Sequence, residues 1–107
     1  MVGLNFNKVI LSGATFHFAQ LDNANFILAD LRCASFQNAD LSGANFSGAD
    51  LRGADFRNAN LTDTSFTNLQ FGDALIDHKT RFSSESLKNL SPEQLAYVQK
   101  SLVNKPF

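Results

Sequence analysis

The sequence contains little of what small proteins use for metal binding, cross-linking or crossing a membrane. Of its 107 residues, one is a cysteine, Cys33, and two are histidines, His17 and His78. A single cysteine excludes an internal disulfide, and with two histidines beside it a four-ligand zinc site is implausible. No apolar run approaches the roughly 18 residues of a membrane span. The sequence therefore predicts neither a disulfide framework, nor a zinc domain, nor a membrane-spanning segment.

Length and charge limit the chain to one small domain. Hydrophobic residues make up 44% of it and the formal net charge is −1, which is typical of a soluble domain near the lower size limit for a single core. The N-terminal stretch "MVGLNFNKVIL" lacks the basic and then apolar plan of a signal peptide. We therefore expect a cytoplasmic protein, or one from the thylakoid lumen or periplasm if an upstream targeting segment has been removed.

A five-residue phrase fills most of the sequence. Taking its large apolar residue as the centre, 15 phrases follow one another in one register, and Ala stands two residues before every centre from Ala14 to Ala59. The centres alternate mainly between Phe and Leu: Phe6, Leu11, Phe16, Leu21, Phe26, Leu31, Phe36, Leu41, Phe46, Leu51, Phe56, Leu61, Phe66, Phe71 and Ile76.

The spacing of the apolar residues fits neither a helix nor a plain strand. Apolar positions step by two within a phrase, from Ala44 to Phe46, and by three to the next phrase, from Phe46 to Ala49. A step of two is extended chain with both side chains on one face, whereas a step of three requires a corner. Residues such as Asn23 and Gly43 follow the centres and suit turns. A chain that repeatedly turns with its apolar residues inward is a solenoid.

The alternation of Phe and Leu predicts the number of sides. An even number of sides stacks Phe on Phe and Leu on Leu, whereas an odd number would mix them. Two sides enclose no interior, and six would leave a hollow that Ala, Phe and Leu cannot fill at protein packing density. The sequence therefore predicts four sides, 20 residues per coil and about four coils, with stacked phenylalanines at 6, 26, 46 and 66 and at 16, 36 and 56.

The phrases "ADLSG", "ANFSG", "ADLRG" and "ADFRN" follow the pattern A-[DN]-[LF]-[SR]-G, which resembles the bacterial pentapeptide-repeat family over residues 4 to 78. The resemblance implies an all-β solenoid, a right-handed four-sided (quadrilateral) β-helix. For function it implies less, because most members have no assigned biochemistry. The best-understood members protect DNA gyrase by presenting a DNA-like acidic rod, and family members in cyanobacteria and plastids include lumenal ones.

The repeat is expected to end near His78, because Arg81 stands where the next centre should be. Beyond it, Ser91 is a good N-cap, Pro92 suits the first helical position, and Gln94 is placed to complete a capping box. We predict a β-helix over 1–78 and a helical C-terminal cap over 79–107 that covers the last coil. A shorter helix over 84–89 is also predicted, and the cap turns these apolar residues inward: Leu87, Leu90, Leu95, Val98 and Leu102.

No catalytic residue, cofactor site or metal site is predicted. A convex rod with a filled interior offers no cleft that would desolvate carboxylates or bind a substrate. Cys33 and His17 belong to different coils and to different places on the perimeter, which argues against a nucleophile and its base. The spacing G-x-x-x-x-G-A occurs at Gly43 and Gly48 but lacks the Lys and Ser/Thr of a phosphate-binding loop. We therefore predict that the chain is not an enzyme.

The 20-residue period also predicts a charged face. Asp30 and Asp50 fall in one column, and Arg32 and Arg52 fall in a second column two residues along. Residues 1 to 78 hold eight Asp against four basic residues, a net charge of −4, whereas the tail holds five basic residues against two Glu, a net charge of +3. A mildly acidic rod is not expected to bind nucleic acid directly.

Four apolar residues stand where other phrases carry polar residues or glycine, and they form the candidate interaction surface: Ile10, Phe18, Ile27 and Leu28. Outward apolar side chains next to an uncovered first coil are typical of an interface. Three alternatives are open: a homodimer through the N-terminal coil, a missing upstream segment, or a frayed first coil.

The sequence favours a non-catalytic scaffold or protein-interaction module, because folding accounts for every residue type. Its protein partner is unknown. The alternative is a DNA mimic that binds or protects a type II topoisomerase, DNA gyrase.

Overall fold

Pairing between coils determines the architecture. The structure, a computed structural model, describes residues 3–102. In it Asn5, Ile10, Thr15 and Gln20 each form a parallel bridge with the residue 20 positions later, and the next coils repeat the pattern. Four bridges five residues apart make one four-sided coil of 20 residues. The predicted solenoid is confirmed.

Continuous strand is scarce in this solenoid. The strands β1 (Asn60–Leu61) and β2 (Arg81–Phe82) have two residues each and pair in parallel. The other coil contacts are single-residue bridges. A corner follows every few residues. Each side therefore has room for only one residue whose N–H and C=O both form hydrogen bonds with the same adjacent coil. The fold is therefore held by parallel pairing, with less strand than a typical all-β protein.

The corners are turns with one residue in the left-handed region. From Lys8 to Asn68, the residue two beyond each centre has a φ between 56° and 74°. At one such corner Gly43 has this φ, and the Ala44 N–H donates to the Leu41 carbonyl at 3.0 Å, the pattern of a type II turn. Where Asp or Asn precedes the centre, its side chain supports the turn.

Asp40 illustrates this role. Its Oδ1 accepts a hydrogen bond from the Ser42 N–H at 3.0 Å, and the same bond recurs at seven other corners. The Asp or Asn of the repeated phrase is thus used to build the corner.

Stacked phenylalanine rings fill the interior. Phe26 and Phe46 have ring centroids 5.0 Å apart with planes at 4°, and Phe36 and Phe56 have centroids 5.1 Å apart with planes at 1°. Rings of the two columns meet edge to face, as Phe46 and Phe56 do at 6.0 Å and 83°. Alanines such as Ala44 and leucines such as Leu51 are fully buried between them. The predicted phenylalanine columns are confirmed.

The coil pairing continues past the predicted end of the repeat. Asn60 pairs with Arg81, a separation of 21 residues, so one extra residue lies between Leu75 and Arg81. Asp77 accommodates the insertion, because its Oδ1 accepts bonds from the N–H groups of Lys79 and Thr80 at 3.0 and 3.1 Å. Because of the extra residue, Phe82 rather than Arg81 lies opposite the centre Leu61, and β2 pairs in register with β1.

Two helices follow, α1 (Ser84–Leu87) and α2 (Pro92–Leu102). The capping box predicted for α2 is present: the Gln94 N–H donates to Ser91 Oγ at 3.1 Å, and the Ser91 N–H donates to Gln94 Oε1 at 2.9 Å. Val98 is fully buried against the core. The predicted segments 1–78 and 79–107 also include residues 1–2 and 103–107, which lie outside the described residues.

Candidate interaction surfaces

The predicted charged face consists of two ion pairs stacked on one side of the coil. Arg32 donates through Nε and Nη2 to the two carboxylate oxygens of Asp30 at 2.9 and 2.8 Å, and Arg52 binds Asp50 in the same way at 2.9 and 2.6 Å. The arginine hydrogen bond, acting against partial desolvation, holds the pKa of Asp30 and that of Asp50 below the usual value. Each carboxylate is neutralised within its own coil, so this face carries alternating charge and little net field.

A third pair lies on the neighbouring side. Burial raises the pKa of Asp55, but the hydrogen bonds from Arg57 and Gln37 outweigh it, so that the pKa falls below its usual value. Arg57 Nη2 lies 2.7 Å from Asp55 Oδ2. The sequence analysis did not single out this pair, although the phrase "ADFRN" has the same Asp and Arg spacing as the other two.

The structure separates the four outward apolar residues into two places. The Ile10 side chain is 76% exposed on the second side of the first coil, and Leu28 is 55% exposed at the corner just before that side in the second coil. Ile27 is half-buried beside Leu28. Phe18 is 75% exposed, but it lies at the corner of the coil that is diagonally opposite the corner of Leu28.

Two of these residues adopt a backbone conformation that bulky side chains avoid. Phe18 and Leu28 both have a φ of 59°, in the left-handed region, where a bulky residue is an outlier. The corner below Phe18 holds Asn38, and the corner below Leu28 holds Gly48, residue types that tolerate this region. A Cβ on Gly48 would lie 2.7 Å from Leu28 Cδ2, so the Leu28 side chain lies over that glycine.

The nucleophile and base considered from the sequence do not meet. The Cys33 thiol is exposed at a corner above Gly53. His17 Nε2 lies 2.6 Å from Ser35 Oγ instead. Within residues 3–102 no hydrogen bond joins Cys33 to His17.

An open groove of about 390 Å³ runs between the last coil and α2, and its lining includes Phe71, Glu93, Gln94 and Tyr97. Two of its polar side chains are used by the fold, because Gln94 Nε2 donates to the Leu69 carbonyl at 3.1 Å and Tyr97 Oη donates to the carbonyl of Ala74. The groove therefore offers few free groups to a ligand. In the part of the chain that is described, no helix is long and apolar enough to span a bilayer.

The repeated coil matches a known family. The family model for pentapeptide repeats matches in eight copies over residues 1–26, 10–48 and 29–68. The chain belongs to the pentapeptide-repeat family. That family is not defined by a catalytic activity, and none of the curated proteins matches this sequence.

Solved pentapeptide-repeat proteins share the fold. Rfr23 from the cyanobacterium Cyanothece 51142 is 28% identical with a TM-score of 0.72, over 74% of this chain and 54% of that one. QnrB1, a plasmid-mediated fluoroquinolone resistance protein, is 28% identical in a trypsin-treated form with a TM-score of 0.67, over 72% of this chain and 41% of that one. This pentapeptide-repeat chain thus spans about half the length of these two proteins.

A plant protein extends the family likeness. A pentapeptide-repeat protein from the thylakoid lumen of Arabidopsis thaliana is 31% identical over 94% of this chain and 76% of that one, with a TM-score of 0.41.

Proposed function

We propose that this chain is a non-catalytic protein-interaction module with two apolar contact surfaces at opposite corners, one formed by Phe18 and the other by Leu28 with Ile10 and Ile27. The observation that carries the proposal is the pair of large apolar side chains at corners with positive φ. Both features oppose folding, since exposed apolar surface gains nothing from burial and the left-handed backbone costs about 1 to 2 kcal/mol for residues other than Gly, Asn and Asp. Strain of this kind persists mainly where function requires it.

Neighbouring coils carry polar residues or glycine at the corners where the first two coils carry Phe18 and Leu28. Asn58 Nδ2 donates to Asn38 Oδ1 in the column of Phe18, and the column of Leu28 continues with Gly48 and Asn68. A polar residue or glycine therefore folds well at these corners. Folding alone gives no reason for an exposed Phe or Leu there, and binding does.

The finer features of the fold belong to this proposal. We take the coil to be right-handed, as the family resemblance implies. We also take the helical segment to be a cap over the last coil, which the bonds from Gln94 and Tyr97 to that coil support. The cytoplasmic location stays a prediction, and fractionation of source cells tests it.

Affinity capture with a matched control tests the proposed function. Three baits are compared. They are the wild-type chain, a double variant that carries both Phe18→Asn and Leu28→Asn, and the control variant Arg52→Ser on the charged face. The proposal predicts proteins that wild type and Arg52→Ser retain and the double variant loses, with equal circular dichroism for all three. Identical sets of captured proteins on all three baits would overturn it.

The second candidate is a gyrase-binding DNA mimic, which the likeness to the fluoroquinolone resistance protein QnrB1 favours. Two observations weigh against it. Asp30, Asp50 and Asp55 are each paired with an arginine, and at about 4.8 Å per coil the repeat is only about 18 Å long. A supercoiling assay with purified DNA gyrase tests this candidate. If micromolar protein neither inhibits the gyrase nor protects it, the DNA-mimic candidate is discarded.

A further inference from the structure

The fourth coil turns a fixed set of backbone groups toward the helical tail. In the coils above it, the N–H of each centre donates to the coil below, as Leu51 does to the Gln70 carbonyl at 2.7 Å. The carbonyl two residues before each centre accepts from the coil below, as Ala49 does from the Gln70 N–H at 3.0 Å. The equivalent groups on this side of the fourth coil are the Phe71 N–H and the Leu69 carbonyl, and both face α2.

The tail satisfies carbonyls at this edge but not the amide between them. Gln94 Nε2 donates to the Leu69 carbonyl at 3.1 Å, and Tyr97 Oη donates to the Ala74 carbonyl. In the described part of the chain no group accepts a hydrogen bond from the Phe71 N–H. Phe71 lies between these two carbonyls in the chain and lines the open groove beside α2. The groove therefore contains a backbone donor that pairs with a carbonyl in every coil above.

The shape of the groove suits a short extended peptide. Its volume of about 390 Å³ is near the lower end of the range for ligand clefts. The rings of Phe71 and Tyr97 form one wall, with centroids 6.1 Å apart and planes at 88°, and Gly72 adds backbone without a side chain. An unpaired sheet edge is a template on which an extended segment adds a strand through its main-chain groups.

The free charge in the groove is negative. Of the described polar side chains that line it, Glu93 is the one that the fold does not use. Glu93 is exposed, and the ion pairs of the described residues do not include it. Arg52 packs its stem over Gly72 from the coil above, but Asp50 binds its guanidinium. A backbone donor beside a free carboxylate disfavours an anion and favours a neutral carbonyl together with a cation.

We propose that this groove binds an extended peptide segment of a partner protein, and that the segment carries an arginine or lysine. A backbone carbonyl of the segment accepts from the Phe71 N–H, and its basic side chain pairs with Glu93. The Tyr97 ring contacts the stem of that side chain and attracts its charge. This site lies at the opposite end of the rod from Phe18 and Leu28, so it does not depend on the proposed function.

Intrinsic fluorescence measures binding at this site directly. The chain has one tyrosine and no tryptophan, so the tyrosine emission of the 107-residue protein reports on Tyr97 alone. The probe is the tripeptide Thr-Arg-Thr with blocked termini, in which threonine favours an extended backbone. Thr-Gln-Thr and Thr-Glu-Thr with the same blocked termini are the control peptides. We expect the arginine peptide to bind with a dissociation constant of about 1 mM or lower, and both control peptides to bind at least about tenfold more weakly.

Two matched variants test the charge assignment. Glu93→Gln removes the carboxylate but keeps the size of the side chain, and Glu85→Gln makes the same change on α1, outside the groove. We expect Glu93→Gln to raise the dissociation constant of the arginine peptide at least about tenfold and to abolish its advantage over the glutamine peptide. Glu85→Gln should leave both values unchanged, and circular dichroism should be equal for all three proteins.

Two-dimensional amide NMR tests the backbone contact. On titration with the arginine peptide, the Phe71 N–H signal should move more than that of Leu51, which is already bonded to Gln70 in the coil below. A Tyr97 emission that does not respond to the arginine peptide at about 10 mM would overturn the proposal. So would equal binding of the glutamate peptide, an unchanged affinity in Glu93→Gln, or binding that leaves the Phe71 N–H signal in place.

Discussion

Replacing Phe46 with Ala should strongly destabilise the stacked core. The Phe46 ring is fully buried and stacks on Phe26 at 5.0 Å and on Phe66 at 5.8 Å. It also meets Phe36 and Phe56 edge to face. The lost burial and the cavity left in the coil cost about 3 to 5 kcal/mol. The four ring contacts place the expected loss of unfolding free energy in the upper part of that range.

Urea unfolding followed by circular dichroism measures this loss, and Phe18→Ala is the matched control. It removes the same ring from an exposed corner, so its unfolding free energy should stay within about 0.5 kcal/mol of wild type. Equal losses for Phe46→Ala and Phe18→Ala, or an unchanged midpoint for Phe46→Ala, would refute the stacked interior of a four-sided coil.

Three further predictions concern the interior and the carboxylates. Ala44→Leu should cost about 1 to 3 kcal/mol because the fully buried Ala44 leaves no spare volume, while Ala96→Leu on the exposed face of α2 should cost little in the same melt. Asp77→Ala should lower the unfolding free energy by about 1.5 to 3 kcal/mol because the charge-assisted bonds that its carboxylate accepts from the N–H groups of Lys79 and Thr80 are lost; an equal effect of Asp73→Ala, at an exposed position, would contradict this. The pKa values of Asp55 and Asp77 lie below the ordinary 3.8 in the folded chain. The stabilising effect of these two carboxylates is therefore complete above pH 3.8 and is lost as the pH falls through their folded pKa values. The melting temperature should drop below about pH 4, and Asp55→Asn should make this drop smaller.

The five-residue period made most of the fold predictable. Whether an apolar residue points inward depends only on its place in the phrase, so the columns of Phe46 and Leu51 could be derived from spacing. The Asp30 and Arg32 pair was predictable for the same reason, because two residues along one side lie on the same face. Local repetition thus determines both the core and the charged face.

The end of the repeat was harder to derive. The turn with the residue inserted before Arg81 is fixed to the previous coil, because Asp77 Oδ1 accepts from the Asn58 N–H and Thr80 Oγ1 donates to the Phe56 carbonyl. No local pattern signals such contacts between coils. The separation of Phe18 from Leu28 follows from the 20-residue period, but their shared strain depends on which residue of each phrase takes the positive φ. Glycine or asparagine at the equivalent corners, such as Gly48 and Asn38, was the signal in the sequence.

The interpretation of Phe18 and Leu28 as binding residues is tested most directly by the unfolding free energy of the Phe18→Asn, Leu28→Asn double variant. Both changes install the residue type that equivalent corners already use and relieve the left-handed strain of a bulky side chain. We therefore expect the double variant to be as stable as wild type or more stable by about 1 to 2 kcal/mol. A loss of 1 kcal/mol or more, on the order of an ordinary destabilising mutation, would show that the two side chains serve folding and would contradict their assignment to an interface.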